Sequence, residues 1–536
     1  MSSQADVSPR ARVGGVPAST VVGDRAIARW VLPAVAVVAL ATRLGPVLAA
    51  GTLGGVQGYD DGVHLAVAER LLAGIVPYRD EIFLHTPGIA ILLTPFAALA
   101  GPFGDSWALA AARVVFMVLG TVNAVLVARI LAPRGVLAAA VGGGTYALWG
   151  AAVAAEHTVY LEAPIGLGLL LALGALGRAG SGSPSRTGVV PRGVARAIAV
   201  SGLAIGLAFT VKIWVVIDAV VLGVLVLARW GPRTAARWCG WGLLGAVPVI
   251  GPFVWFAPRR FWYDVVVVQV TRPDQDKSLA GRVAALDPTR DLHDPLSDAV
   301  AAIVGVLLVA AVLSPLVVAL VRRLRPAQWS DPLWWGVLAA TQLVSLARAP
   351  SFYIHYAAFV APALSLLIGA AAGLVAARAR AHGGVGARVR LAALTTAAVV
   401  AGLGLALARP PLTSAGRVDH AVLVDFGAQH SCVWARNPSY LQLADIATRQ
   451  LDARCPATLD LVGTRFVLDR GGVVPGTDAA TVDQLVLDQL VASDGALVGR
   501  VGLMQGDEPR ATAYLREHFD HVGGTGPLEL WSRTAP

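Results

Sequence analysis

Between Tyr59 and Gly88 the sequence YDDGVHLAVAERLLAGIVPYRDEIFLHTPG gathers adjacent carboxylates, Asp60 and Asp61, with the cluster Tyr78, Arg79, Asp80 and Glu81 and with His85. A carboxylate can take a proton from a hydroxyl, and Arg, Lys or His can steady the charge on a phosphate. Groups of the same kinds recur at the borders of later apolar runs: Arg113, then Glu156, His157 and Glu162, then Lys212, then Arg348 with His355 and Tyr356. Glu156 reads as a solvated loop charge, and for the others singly, snorkelling or a structural ion pair is a sufficient account. Jointly they make a set of acids and cations suited to an anionic lipid head group beside a hydroxyl nucleophile.

The scaffold that must position them is set by composition. The 536 residues are 56% hydrophobic and 14% charged, with a mean hydropathy of +0.65, whereas soluble domains carry about 25% charged residues. This is a polytopic α-helical membrane protein. Its formal charge of +9 comes from small basic clusters between apolar runs, a topology signal and not the continuous stripe that nucleic acid requires.

Residues 1–27 read as a disordered cytoplasmic tail. The apolar run from Trp30 to Ala50 follows; it resembles a secretory signal in its Leu-Ala-Ala-Gly ending, but its length and basic preface suit an uncleaved first span better. Arg43, late in that run, either snorkels to the outer interface or faces a polar cavity. Further spans are expected near 106–128, 135–153, 159–177, 196–211, 213–228, 238–257, 300–320, 333–347, 356–377 and 389–408, about eleven in all. With the amino terminus inside, Arg129, Arg134, Arg178, Arg229, Arg233 and the later Arg clusters all fall in inner loops, as Lys and Arg do on the cytoplasmic side. That accounting requires Pro87–Gly101, short and interrupted by Pro95, not to cross. Residues 51–105 are then one outer loop with helices along the membrane, and Leu65, Ala68 and Leu72 would share one apolar face.

A second outer loop, about 258–299, carries Arg259, Arg260, Phe261, Trp262 and Tyr263, which suit an interfacial belt or substrate contact. From residue 409 the composition turns ordinary. His420–Phe426 and Arg465–Leu468 look like strands, Thr481–Ala492 and Glu508–Phe519 like helices, so 409–536 is expected to be a small extracytoplasmic α/β domain beside a membrane module at 28–408. Cys432 and Cys455 both fall in it, where an oxidising compartment would allow a disulfide; two buried thiols are the alternative. No Cys/His spacing suggests zinc, and the chain has neither a Walker loop nor a Rossmann fingerprint.

The run Tyr59-Asp60-Asp61-Gly62-Val63-His64, with Leu71-Leu72-Ala73-Gly74, Pro77-Tyr78-Arg79-Asp80 and His85-Thr86-Pro87-Gly88, resembles the first outer loop of GT-C membrane glycosyltransferases. The nearest branch is the one using polyprenyl-phosphate sugars, which includes protein O-mannosyltransferases and lipid A aminoarabinose transferase. Phe103-Gly104-Asp105-Ser106 before Arg113, Leu161-Glu162-Ala163-Pro164, Gly206-Leu207-Ala208-Phe209 before Lys212, and His355-Tyr356 before Pro362 extend the resemblance over roughly residues 30–380. It implies a plasma-membrane enzyme of the cell envelope that moves a sugar, mannose or arabinose among the choices, from a polyprenyl-phosphate donor to a hydroxyl of a glycan, lipid or protein acceptor on the outer face. Asp60 would be the general base, with Asp61 beside it, and Glu162 the second acidic residue. His85, Arg113, Lys212, Arg348, His355 and Tyr356 would serve the donor phosphate and lipid, and Tyr78, Arg79 and Asp80 would support the loop or acceptor. His85 and Thr86-Pro87 depart from the Lys and Pro-Pro common in relatives.

A single inverting displacement needs no carboxylate nucleophile, unlike a retaining glycosidase. The Asp60/Asp61 pair is the one place open to a divalent metal, although Arg and Lys can handle the phosphate alone. Competing readings are a transporter or lipid flippase and a noncatalytic scaffold. Against a transporter stand the absence of a half-to-half repeat and the gathering of charge on one side instead of at the midplane.

Overall fold

The computed structural model describes residues 19–180, 191–272, 278–286, 312–313, 317, 320, 322–382, 416–499 and 508–534. The expected span 389–408, nearly all of 300–320, most of the 1–27 tail and much of the polar run in the second outer loop lie outside them. Within them the chain runs through helices α1 (Ser19–Ala50), α2 (Tyr59–Leu72), α3 (Gly88–Ala97), α4 (Ala100–Phe103), α5 (Asp105–Leu131), α6 (Val136–Leu148), α7 (Gly150–Glu156), α8 (Glu162–Ala179), α9 (Arg192–Val211), α10 (Val215–Trp230) and α11 (Pro232–Phe256). The helices Asp331–Arg348 and Ala361–His382 follow, and then a C-terminal segment of short helices and strands.

Among the described residues, six helices are long and apolar enough to cross a membrane: Arg29–Ala50, Asp105–Arg134, Glu162–Ala179, Arg192–Val211, Pro232–Phe256 and Ile354–Ala379. The pair α6 and α7, bent by 58°, would make a seventh. The expected spans at 213–228 and 333–347 are helical but fall short of that length or apolarity. Pro87–Gly101 breaks into α3 and α4 and forms only a short apolar helix pair. With no hydrophobic gain between helices in lipid, close approach must come from small residues. An added Cβ at Gly168 of α8 would sit 2.6 Å from the Ala208 Cβ, and one at Gly206 of α9 would sit 2.0 Å from the Gly242 carbonyl oxygen. Three helices are thereby brought nearly backbone to backbone.

Two expectations about charge are corrected here. Arg43 does not snorkel and Glu156 is not a solvated loop charge: they are 0% and 1% exposed and pair with each other. Arg43 Nε donates to Glu156 Oε2 at 2.6 Å, Arg43 Nη1 donates to the carbonyls of Ala39 and Ala147, and the Tyr146 hydroxyl donates to Glu156 Oε1 at 2.7 Å. A buried charge is tolerable when partnered in this way, and both side chains are long enough to find each other inside the bundle.

The first loop also differs from its expectation. α2 does not lie on the surface with one apolar face; Asp61 through Glu69 are all buried, whereas Leu72 is 52% exposed. The helix is wedged among α3, α5 and the C-terminal helices Pro438–Leu443 and Ala447–Asp452. Acidic residues in its first turn and Arg70 in its last complement the helix dipole, and Gly74, at φ 85°, ends it.

The C-terminal segment contains a four-stranded sheet, ordered β1 (Val433–Ala435), β2 (Gly495–Gly499), β4 (Leu528–Arg533), β3 (Phe519–Thr525). β1 runs parallel to β2, and the other pairs are antiparallel. The sheet packs on the helices Val482–Val491 and Pro509–His518, which agree with the helical expectations. The two expected strands are helices, His420–Gln429 and Leu461–Leu468. Short apolar runs are ambiguous in sequence, and the caps decide: Asp419 accepts the Ala421 N–H and Asp460 accepts the Gly463 N–H. Cys432 and Cys455 are joined as a disulfide, with Cα atoms 5.6 Å apart, while Cys239 is free and exposed.

Removing Glu156 leaves Arg43 charged inside the bundle. Glu156→Ala should therefore cost about 3–5 kcal/mol, seen as a lowered Tm of the protein in detergent.

Candidate functional site

The site is built where α2 begins. Asp60 and Asp61 are adjacent in sequence, but the helix turns their side chains in different directions and gives them different chemistry. Asp61 points into the bundle, 0% exposed. Its Oδ2 accepts from Arg113 Nε at 2.9 Å and from Nη2, and its Oδ1 accepts the Val159 N–H at 3.0 Å. Arg113, also 0% exposed, spends its remaining donors on the carbonyls of Leu53 and Gly55. Asp61 and Arg113 therefore saturate each other and fix the loop; neither is placed to meet a donor phosphate, contrary to the sequence expectation for Arg113.

Asp60 is half-buried and, among the described residues, accepts no hydrogen bond and forms no ion pair. Burial raises its carboxyl above the ordinary range, against the opposing pull of His355, Arg272 and Lys212, while Glu162 adds to the rise. A free carboxylate with a raised pKa, ringed by cations, is equipped to accept a proton.

Around it stand three elements. Glu162, the first residue of α8, accepts from Lys212 Nζ at 2.6 Å, and both side chains are buried. Lys212 caps α9 and lies 4.1 Å from the centre of the Trp214 ring and 4.5 Å from that of Tyr356. Its charge is thus shared between Glu162 and two aromatic faces. His355 and Tyr356 come from the short helix Ile354–Val360, with His355 4.4 Å from the Tyr160 ring.

Beside Tyr356 a groove of about 410 Å³ is lined by Ile213, Trp214, Gln269, Arg272, Arg348 and Tyr356 among others. Arg272 Nη1 donates to the Tyr356 hydroxyl at 3.5 Å, and Arg348 is exposed. Two cations in the lining of a largely apolar groove match a phosphate carrying a lipid tail.

His85, expected beside the donor phosphate, sits half-buried within the packed loop. Burial pushes its imidazole well below the usual histidine range, with help from His64, Lys212, Arg272 and His355. Its ring packs against His64 and Phe83, and its carbonyl accepts the Tyr78 hydroxyl at 2.5 Å. Tyr78 is fully buried at φ 66°, held by Phe83, Phe253 and Phe261. Arg79 and Asp80 are mutually paired near the surface, with Asp80 closing the turn by accepting the Val76 N–H. All three support the loop.

Arg272, Tyr160 and Asp460 were not singled out by sequence reasoning. Arg272 sits at the end of the apolar run Val265–Val270, directly before Pro273, a pattern that marks a helix end but not a site. Tyr160 packs so closely that a Cβ on Gly58 would lie 1.9 Å from its hydroxyl. For a divalent metal the fit is poor: the described residues hold no group of three His, Cys, Asp or Glu side chains able to share an ion, and both Asp61 oxygens are already occupied.

A bundle of apolar helices long enough to cross a membrane, a packed first loop bearing the acidic pair, and a C-terminal segment of helices and strands against that loop make up a fold that solved structures share. No family model matches the chain. Among solved structures, ArnT from Cupriavidus metallidurans bound to undecaprenyl phosphate is similar at a TM-score of 0.53 and 14% identity, over 97% of this chain and 99% of that one. The same protein in the apo state gives a TM-score of 0.57 at 14% identity, over 95% and 99%. The archaeal oligosaccharyltransferase AglB from Archaeoglobus fulgidus, in complex with an inhibitory peptide and a dolichol-phosphate, gives 0.55 at 13% identity, over 91% and 71%.

Gly62, one turn into α2, admits the C-terminal segment so closely that a Cβ would lie 2.2 Å from the Ser439 backbone nitrogen. Gly62→Ala must push that backbone away, and should lower stability by about 1–3 kcal/mol and speed limited proteolysis of the C-terminal segment.

Proposed function

We propose that this protein is a membrane glycosyltransferase that moves a sugar from a polyprenyl-phosphate donor to an acceptor hydroxyl. The observation that carries the reading is Asp60: a free, half-buried carboxylate with a raised pKa that feels the charge of Arg272, which with Arg348 lines the groove. The fold shared with ArnT and AglB, described bound to undecaprenyl phosphate and dolichol-phosphate respectively, supports a lipid-phosphate donor. Residues 28–408 form the membrane module in this reading, and 409–536 an extracytoplasmic domain. Arg129, Arg134 and Arg178 line a cavity at the end of α8 opposite Glu162, which supports a cytoplasmic amino terminus and an outward site.

In this mechanism the prenyl chain lies along the apolar wall of the groove, and Arg272 and Arg348 hold the phosphate. Asp60 accepts the proton of the acceptor hydroxyl as its oxygen attacks the anomeric carbon from the face opposite the phosphate. The bond from that carbon to the phosphate oxygen breaks, the electron pair leaves with the lipid phosphate, and the configuration inverts. Guanidinium groups stabilise the charge that grows on the departing phosphate. Glu162 holds Lys212 against Trp214 and Tyr356, and so keeps the floor of the site charged but balanced.

Asp60→Asn should reduce transfer by about 100- to 10,000-fold, measured as release of undecaprenyl phosphate from a panel of undecaprenyl-phosphate sugars presented to membranes containing native acceptors. Near-normal turnover by this variant would falsify the base assignment. A base with a raised pKa must be ionised to act, so wild-type activity should fall as pH drops through a value above the ordinary carboxylate range. Glu162→Gln should lower turnover less than Asp60→Asn does, because it unbalances Lys212 without removing the base; a variant as inactive as Asp60→Asn would assign Glu162 a direct role.

A further inference from the structure

Asp60 lies between two residues that are tied to different parts of the chain. On its carboxyl side Asp61 is locked to Arg113 of α5. On its amino side Tyr59 is locked to the C-terminal segment: its hydroxyl donates to Asp460 Oδ1 at 3.2 Å and accepts the N–H groups of Leu461 at 2.9 Å and Val462 at 3.2 Å. Asp460 caps the Leu461–Leu468 helix and also accepts the Gly463 N–H at 2.9 Å. The first N–H groups of any helix lack partners within it. Here Tyr59, from a loop some 400 residues earlier, supplies the acceptor for two of them.

The same helix reaches the other half of the site. The ring of Phe466 lies under the Arg272 guanidinium, 5.1 Å from its central carbon. One short helix of the C-terminal segment therefore contacts the residue next to the free carboxylate and a cation that lines the groove.

We propose that the Leu461–Leu468 helix is an active-site element: Asp460 is a positioning residue that acts on Asp60 through Tyr59, and Phe466 positions Arg272. The C-terminal segment is then needed for the transfer step itself and not for choice of acceptor alone. This rests on the reading of Asp60 as the base. Electrostatics supports the link: burial raises the pKa of Asp460 against the Gly463 hydrogen bond and Arg272, and the charge of Asp60 adds to the rise; the interaction between two charges is mutual. The groups that face Asp60 are His355, Arg272, Lys212 and Glu162, with Tyr59, Tyr160, Tyr356 and Asp460 responding to its charge. Among these, Asp460 is the charged group that the C-terminal segment contributes.

The test uses the full chain. Asp460→Asn keeps an amide oxygen to cap the helix but removes a negative charge near Asp60, so the acid limb of the pH–rate profile should move to lower pH. A purely structural role would lower activity at every pH and leave that limb in place. Tyr59→Phe should cut kcat about tenfold or more with the donor KM unchanged, because a misplaced base costs the chemical step and not donor binding. Phe466→Ala should weaken binding of undecaprenyl phosphate alone about fivefold. An acid limb that stays at the wild-type pH in Asp460→Asn, or wild-type kcat in Tyr59→Phe, overturns the proposal; if Tyr59→Phe does not fold, the limb of Asp460→Asn decides. Failure of the base reading is separable, since it shows as retained turnover in Asp60→Asn.

Discussion

The buried pair of Asp61 and Arg113 is the constraint on which the site depends. Two charges removed from water are tolerated because every polar atom of the carboxylate and most of the guanidinium find partners: each other, the Val159 N–H and the carbonyls of Leu53 and Gly55. That network pins the start of α2 to α5 and to the loop before α8. Because Asp61 takes Arg113, its neighbour Asp60 is left without an ion-pair partner among the described residues, and burial keeps its pKa raised against the more distant pull of His355, Arg272 and Lys212. The unpaired state of one aspartate thus follows from the pairing of the next.

The same economy of charge appears elsewhere in the molecule. Arg43 is matched by Glu156, Lys212 by Glu162, and Asp331 by Arg134 and Arg229. The first and last of these hold helices together. The second stands at the border of the site, where a lysine flanked by two aromatic rings and one carboxylate keeps its charge without being free to wander. Arg272 and Arg348, which line the groove, have no carboxylate partner among the described residues, and this is the feature that suits them to an anionic ligand.

The C-terminal segment is more than a neighbour of the bundle. It meets α2 at Gly62, where only a hydrogen fits, at Glu69, which accepts from Gln442, and at Tyr59. Helix α2 is therefore sandwiched, and its burial on all sides explains why it lacks the one-sided apolar pattern of a helix lying on a membrane surface.

Composition alone marked a multi-pass membrane protein, and residue types alone marked one polar stretch in it as the candidate site. Long apolar runs fix helices whatever surrounds them, because an unsatisfied backbone in lipid is too costly. The Tyr59–Gly88 stretch is legible because carboxylates, arginine and histidine are rare in so apolar a chain. Partnership was not legible. Whether Asp60 or Asp61 is free, whether Arg113 meets a phosphate or a carboxylate, and whether Glu156 faces water or Arg43 all depend on contacts between residues 52 to 113 positions apart. The short runs His420–Phe426 and Arg465–Leu468 were misread as strands because their apolar content fits either period, and a capping aspartate settles the matter only once the backbone is in place. Tertiary structure decided which charges cancel, since cancellation needs two groups within a few ångströms and sequence order carries no such distance.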